Sequence, residues 1–148
     1  MSSGRPACAV DANVILRYLL RDHEELAGKA RDIWRQVEEG RMVAVWDPVI
    51  LAEVVFVMSS VYRLPNSEIS DALIALLQTD HVLMPAKERY LRALRLFAGT
   101  VKHFAEACAC AAALEDCEGR LCSFDPTLSS VEGISRAESP PGAGEATP

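Results

Sequence analysis

Four short, continuously apolar runs constrain the fold of this chain more than any other feature of its sequence. Uninterrupted apolarity predicts strands that are buried on both faces. The segments between the runs are long enough to form crossover helices, and such connections join parallel strands. The sequence therefore predicts an α/β protein with a mostly parallel sheet. The runs lie at residues 6–10, 42–46, 81–84 and 121–124.

The segments between these runs carry apolar residues at the three-and-four spacing of amphipathic helices. Asp22 and Glu25 are placed as a capping box for one long helix, and Gly40 follows its end. Asp47 and Pro48 are placed as the cap and first-turn proline of the next helix, which is almost entirely apolar and is therefore expected to be deeply buried. The predicted helices cover residues 23–39, 48–61, 66–78, 87–98 and 103–116, with a shorter one after the first strand.

Length and composition predict one domain at residues 1–137, followed by a disordered tail at residues 138–148. No run reaches the roughly 18 apolar residues of a membrane span, and the N-terminus lacks the apolar core of a signal peptide, so we expect a cytoplasmic protein without membrane contact. The five cysteines contain no C-x-x-C pair and indicate neither a disulfide framework nor a zinc knuckle. The net charge of −6 argues against broad electrostatic attraction to nucleic acid, so such a substrate must be bound locally.

Four acidic residues stand out by their positions. Asp11 and Asp125 directly follow the first and fourth predicted strands, and the carboxyl ends of parallel strands share one edge of a sheet. Glu53 and Glu106 lie inside apolar helices, where ionised carboxylates are seldom left without a partner. If both helices begin near that edge, all four acids converge. We expect a bound Mg²⁺ or Mn²⁺ to offset their mutual repulsion, because both are hard cations that take oxygen ligands.

Such a site suits hydrolysis of a phosphodiester by a metal-activated water, for which the protein need supply no covalent nucleophile. The chain contains no G-x-S-x-G elbow, P-loop or G-x-G-x-x-G motif, so hydrolase triads and nucleotide-binding loops lack support.

Four motifs resemble PIN domains of the VapC toxin type over about residues 7–134. They are the D-x-N-V run that begins at Asp11, LAEVVFVM around Glu53, F-A-E-A around Glu106, and S-F-D ending at Asp125. The resemblance implies a three-layer α/β/α sandwich around a short, mostly parallel sheet of four or five strands. It also implies Mg²⁺- or Mn²⁺-dependent cleavage of RNA, frequent dimerisation, and neutralisation by a cognate antitoxin.

The resemblance assigns the metal ligands to Asp11, Glu53, Glu106 and Asp125, with Asn13 and Ser123 as polar neighbours. This sequence departs from the family pattern at two positions. The third acid is usually Asp and is here Glu106, whose extra methylene moves the carboxylate outward by roughly an ångström. His103 stands where many relatives carry Asp, and it is a poorer helix cap. Either change could mark a weakened or retuned enzyme.

Several alternatives remain open from the sequence. Asp11 and Asp125 could simply start a helix and a turn. A degenerate PIN domain could serve only as a binding or oligomerisation module, and Asp11 could instead be the nucleophile of a phosphatase. Arg17 and Arg21, four residues apart on the first helix, either contact RNA phosphate or form a solvated face. The apolar stretches at residues 49–61 and 69–77 are either core, a homodimer patch or an antitoxin groove.

Overall fold

Three parallel strands organise the first of two structural units in the computed structural model of the chain. The structure describes residues 4–141, and the units comprise residues 1–87 and 88–148. In the first unit the strands pair in the order β1-β2-β3, with Ala44 of β2 opposite both Cys8 and Val82. The strands are β1 Ala7–Ala9, β2 Val43–Val45 and β3 Val82–Leu83, and the helices between them are α1 Ala12–Leu20, α2 Glu24–Glu38, α3 Pro48–Ser60 and α4 Asn66–Leu77.

In its described residues the second unit contains two helices, a 3-10 helix and a pair of parallel strands. The helices are α5 Lys87–Ala98 and α6 Phe104–Asp116, the strands are β4 Arg120–Cys122 and β5 Ser135–Ala137, and the 3-10 helix is Pro126–Ser130. Leu121 of β4 lies opposite Arg136 of β5. The sequence did not predict β5, because Ser135 and Arg136 break the apolar pattern that marks a buried strand.

The α/β class with parallel strands is confirmed and is consistent with a PIN-like fold. Among residues 4–141 the strands form two separate sheets, one of three strands and one of two. The prediction of a tail at residues 138–148 falls for residues 142–148 outside the described part of the chain. Across residues 4–141, the structure contains no helix both long enough and apolar enough to span a bilayer.

Each unit has its own apolar core. In the first unit Ile15, Trp46, Leu51 and Leu73 are fully buried, and the ring of Trp46 meets Trp34 edge-on at 6.3 Å. Aromatic pairs in this geometry add about 1 kcal/mol beyond their buried area. The second core contains the edge-on ring pair of two phenylalanines at 5.8 Å, and its other large members include Leu91, Leu94 and Val101.

Two predictions about helix starts had different outcomes. Asp47 caps α3 as predicted, since its carboxylate accepts a hydrogen bond from the Val49 N–H at 2.8 Å. The capping box of Asp22 and Glu25 is wrong, because the N-cap of α2 is His23, whose Nδ1 accepts from the Leu26 N–H. Asp22 is occupied elsewhere, in an ion pair with Arg17 and a hydrogen bond from Tyr62.

The expectation that the 48–61 helix is deeply buried holds for only one of its faces. One face of α3 is buried through Leu51, Val54, Val55 and Met58, whereas Val49 and Phe56 are 73% and 65% exposed. The expectation of strands buried on both faces fails for β1, all of whose residues are exposed. In the described sheet β1 is an edge strand, and an apolar run in sequence does not reveal how many faces the tertiary structure covers.

Candidate metal centre

Asp11 lies where β1 gives way to α1, at the carboxyl end of the strand as predicted. Its backbone is extended, with φ −90° and ψ 172°, and its carboxylate accepts a hydrogen bond from the Val14 N–H at 3.2 Å. Asp11 is therefore the N-cap of α1, so the alternative role as a helix start is also fulfilled. The residue is exposed, and the cap engages only its Oδ1 atom within the described structure, leaving Oδ2 for another partner.

Glu53 shares a cavity with Asp11. The packing of α1 against α3 creates a space of about 240 Å³ that is lined by Asp11, Asn13, Glu53 and the apolar residues Leu16 and Ile50. The prediction that Glu53 is buried is wrong, since it lies on the exposed side of α3. Asp11 and Glu53 form what we call the first carboxylate pair, with Asn13 beside it.

Glu106 and Asp125 form the second carboxylate pair. Glu106 lies in the first turn of α6, which packs against β4, and Asp125 follows β4 by three residues. Their carboxyl groups lie within hydrogen-bonding reach of each other. Both residues are partly exposed. The structure thus joins two acids that lie far apart in the sequence, within one unit of the fold.

Hydrogen bonds fix the Asp125 carboxylate. Its Oδ1 accepts from the Thr127 N–H at 2.9 Å and from the Thr127 hydroxyl at 2.7 Å, and the Asp125 N–H donates to Ser123 Oγ at 3.1 Å. The Thr127 side chain and backbone are the main causes that lower the pKa of Asp125, opposed by partial desolvation and helped by Glu106 and Arg136. Asp125 is therefore held in its ionised, ligand-competent form at neutral pH.

The sequence interpretation identified Ser123 but missed Thr127 and Arg136. Thr127 was detectable, since an Asp followed two residues later by Thr is a common local turn in which the side chain accepts from the backbone. Arg136 left no local signal, because it reaches Asp125 through the pairing of β5 with β4.

Three further residues were predicted to assist the site, and the structure places each of them differently. His103 is exposed and occupies the N-cap of α6 without a capping hydrogen bond from its side chain in the described part of the chain. Arg17 is anchored to Asp22 at 3.0 Å, and its Nε is buried without a partner among the described residues. The prediction that Arg21 lies on the first helix with Arg17 is wrong, because α1 ends at Leu20 and Arg21 is its left-handed C-cap, with φ 54°.

Carboxylate oxygens are the ligands that Mg²⁺ and Mn²⁺ prefer, so the donor chemistry of both pairs fits such a cation. Within residues 4–141 the structure shows no group of three or more His, Cys, Asp or Glu side chains placed to hold a metal. Each unit instead contains one pair. The proximity of Glu106 and Asp125 is the part of this arrangement that most favours a cation, because two carboxylates within hydrogen-bonding reach repel when both are ionised.

Parallel strands joined by helices, with carboxylates where the strands end, define this chain as an α/β protein with an acidic site. Comparison with known families narrows that class. The family model described as PIN domain matches residues 8–134, and the chain belongs to the PIN-domain family, whose members are generally metal-dependent nucleases. The family part of the resemblance is thereby confirmed. No curated protein matches the chain.

Proposed function

We propose that this chain is a metal-dependent endoribonuclease that hydrolyses RNA phosphodiester bonds, with Asp11, Glu53, Glu106 and Asp125 as ligands of Mg²⁺ or Mn²⁺. The observation that carries the proposal is that the carboxyl groups of Glu106 and Asp125 lie within hydrogen-bonding reach of each other in a member of a nuclease family. Two adjacent carboxylates repel, and a divalent cation between them converts an unfavourable contact into a binding site.

The side chains of the two pairs divide the work. Asp125 stays ionised because of its hydrogen bonds from Thr127, and Ser123 holds the backbone of Asp125 in place. Asn13 adds an amide group to the cavity of the first pair. His103 is an auxiliary group at the start of the helix that carries Glu106. A divalent cation held by these carboxylates would lower the pKa of a water molecule and neutralise charge on the phosphate.

RNA would be bound locally, in keeping with the net charge of −6. A groove of about 350 Å³ between α1 and α2 is lined by Asp11, Asn13, Arg17 and Lys29, together with apolar residues such as Leu26. Lys29 is 68% exposed and contacts Glu25 only at 3.7 Å, so its ammonium is available to a phosphate close to the first carboxylate pair, whereas Arg17 would first have to release Asp22. Arg21 is exposed at the end of α1 and is a more remote candidate for the same role.

We further propose that the chain is a cytoplasmic toxin of the VapC type, with a cognate antitoxin and a homodimeric state. The support is the exposure of large apolar side chains on and just after α3: Val49 and Phe56, two turns apart on one side of the helix, are 73% and 65% exposed, and the C-cap Val61 is 66% exposed. Large apolar side chains grouped on one surface are typical of protein contacts. The test for the dimer is sedimentation of wild type and Phe56→Asp, and we expect only the variant to be monomeric.

The test of the nuclease is RNA cleavage by the Asp11→Asn protein with added Mg²⁺. Asn is an equally good helix cap, so α1 is kept while one ligand charge is removed. We expect cleavage to fall at least about a hundredfold, since changes to groups that only support ligands already cost ten- to a hundredfold. The matched control is Asp32→Asn, an exposed α2 carboxylate paired with Arg35. Full cleavage by Asp11→Asn contradicts the proposal.

A second candidate is a catalytically weakened PIN domain that acts as a binding or oligomerisation module. It is favoured by the substitution of Glu at position 106, and by the lack of a group of three metal-binding side chains within residues 4–141. Calorimetry with Mn²⁺ separates the two functions. Binding at millimolar Mn²⁺ that disappears in Glu53→Gln favours the nuclease, and no metal-linked heat favours the module.

A further inference from the structure

We propose that Arg136 is a positioning residue that holds the Asp125 carboxylate in place by tying down the chain on both sides of it. The proposal deepens the proposed function, on which it rests for the role of Asp125. The residue lies on β5, outside every sequence motif of the site, and its side chain is only 16% exposed.

The guanidinium of Arg136 spans the segment that contains Asp125. Its Nη1 donates to the Ser123 carbonyl oxygen at 2.9 Å, two residues before Asp125, and its Nε donates to Ser129 Oγ at 2.9 Å, four residues after it. Arg is suited to this task because its donors are fixed in one rigid plane. One side chain therefore fixes the distance between the end of β4 and the 3-10 helix.

These hydrogen bonds of Arg136 matter because apolar packing does not hold the segment at Asp125 itself. Phe124, the residue immediately before Asp125, is 82% exposed and contributes little to the core. The nearest buried apolar anchor is Leu128, three residues beyond Asp125. The Thr127 hydrogen bonds orient the carboxylate relative to its own turn, and Arg136 connects that turn to the sheet.

The contacts also distinguish positioning from substrate binding. Arg136 Nη1 is shared between the Ser123 carbonyl and Glu138 Oε2, at 2.8 Å from the latter, and that carboxylate offsets much of the guanidinium charge. A cation that binds RNA phosphate keeps its donors and charge available. The donors and the charge of Arg136 are instead used in contacts with Ser123, Ser129 and Glu138.

The experiment compares Arg136→Met and Arg136→Lys with Arg120→Met, a control on β4 whose Arg is 55% exposed and contacts Glu118 at 3.7 Å. Calorimetry with Mn²⁺ measures affinity. We expect Arg136→Met to weaken binding ten- to a hundredfold, as for other groups that support ligands. Arg136→Lys should not restore it, because an ammonium cannot span both acceptors. Wild-type affinity in Arg136→Met or in Arg136→Lys overturns the proposal.

Amide hydrogen exchange in metal-free protein supplies a readout that does not depend on the proposed function. The Thr127 N–H is protected by Asp125, and we expect its exchange to rise roughly tenfold in Arg136→Met and to stay unchanged in Arg120→Met. If wild type fails to bind Mn²⁺, the nuclease proposal fails and this measurement still decides the role of Arg136. Unchanged Thr127 exchange overturns that role.

Where Arg136→Met fails to fold, Ser129→Ala takes its place, because it removes one acceptor of the guanidinium from an exposed position. We expect a smaller loss of Mn²⁺ affinity and faster Thr127 exchange, both in the same direction. If Ser129→Ala shows wild-type Mn²⁺ affinity and wild-type Thr127 exchange, the positioning role of Arg136 is overturned.

Discussion

The two carboxylate pairs reach similar chemistry by different means. In the first pair one carboxylate oxygen of Asp11 caps α1, and Glu53 lies on the exposed side of α3, where both residues line one cavity. In the second pair Glu106 and Asp125 are in mutual reach, and Thr127 fixes Asp125 with two hydrogen bonds. The second pair is thus organised before any cation binds, whereas the first is available but less constrained.

This difference indicates where the free energy of metal binding arises. Holding two like charges together in the metal-free protein is unfavourable, and a cation relieves that repulsion when it binds. A preorganised pair also loses little conformational freedom on binding. We therefore expect the second pair to bind a cation more tightly than the first.

The largest expected effect tests the second pair directly. Asp125→Asn keeps the cap of the 3-10 helix but removes a ligand charge, and we expect RNA cleavage with Mg²⁺ to fall more than about a hundredfold. Asp116→Asn, on the exposed end of α6, is the control. The comparison between the pairs breaks down if Asp125→Asn retains more activity than Asp11→Asn.

A tenfold effect is expected from the group that orients Asp125. Thr127→Val removes the hydroxyl hydrogen bond, so we expect the Mn²⁺ affinity measured by calorimetry to fall roughly tenfold. Thr79→Val removes a hydroxyl that donates to the Ala75 carbonyl in α4 and should leave the affinity unchanged. An Mn²⁺ affinity equal to that of wild type argues that the turn geometry alone positions the carboxylate.

The same variant has a pH signature with a definite sign. The folded pKa of Asp125 lies below its ordinary value of 3.8, so ionised Asp125 contributes stability above that value and loses it as the pH falls through the lowered pKa. Thr127→Val raises the folded pKa and shrinks this contribution. NMR titration of Asp125 below about pH 4 measures the shift directly.

A smaller effect distinguishes the pairs without metal. Glu106→Gln places an amide N–H donor beside the Asp125 carboxylate, so we expect a small rise in the melting temperature of metal-free protein at neutral pH. Glu53→Gln should leave it unchanged, because Glu53 is exposed. Calorimetric scanning measures both variants, and added Mn²⁺ should stabilise wild type more than either. Equal melting temperatures of the two metal-free variants would contradict the proposed difference between the two carboxylate pairs.

The smallest effect is expected away from both pairs. Tyr62 donates to Asp22 at 2.5 Å and is the main cause of the lowered pKa of Asp22, with Arg17 helping. Tyr62→Phe should raise that pKa toward 3.8 and leave RNA cleavage unchanged. NMR titration of Asp22 measures its pKa, and an RNA cleavage assay measures the activity. Lost cleavage implies that the Arg17–Asp22 contact contributes to RNA binding.

Much of the fold was predictable from the sequence because helices and strands are encoded by local spacing. The predicted helix at 87–98 matches α5 Lys87–Ala98, the one at 66–78 matches α4 Asn66–Leu77, and the Asp47–Pro48 start of α3 is confirmed. Three of the four apolar runs contain the parallel strands β1, β2 and β3, and the fourth overlaps β4.

The sequence by itself determined the α/β class, the placement of Asp11 and Asp125 at strand ends, and family membership through motifs spread over residues 8–134. Only the tertiary structure decided which acids meet, that Glu53 is exposed, and that Arg136 of β5 supports the second pair. The physical reason is range. Periodicity and caps depend on neighbours within a few residues, whereas burial and side-chain contacts depend on segments that only the folded chain brings together.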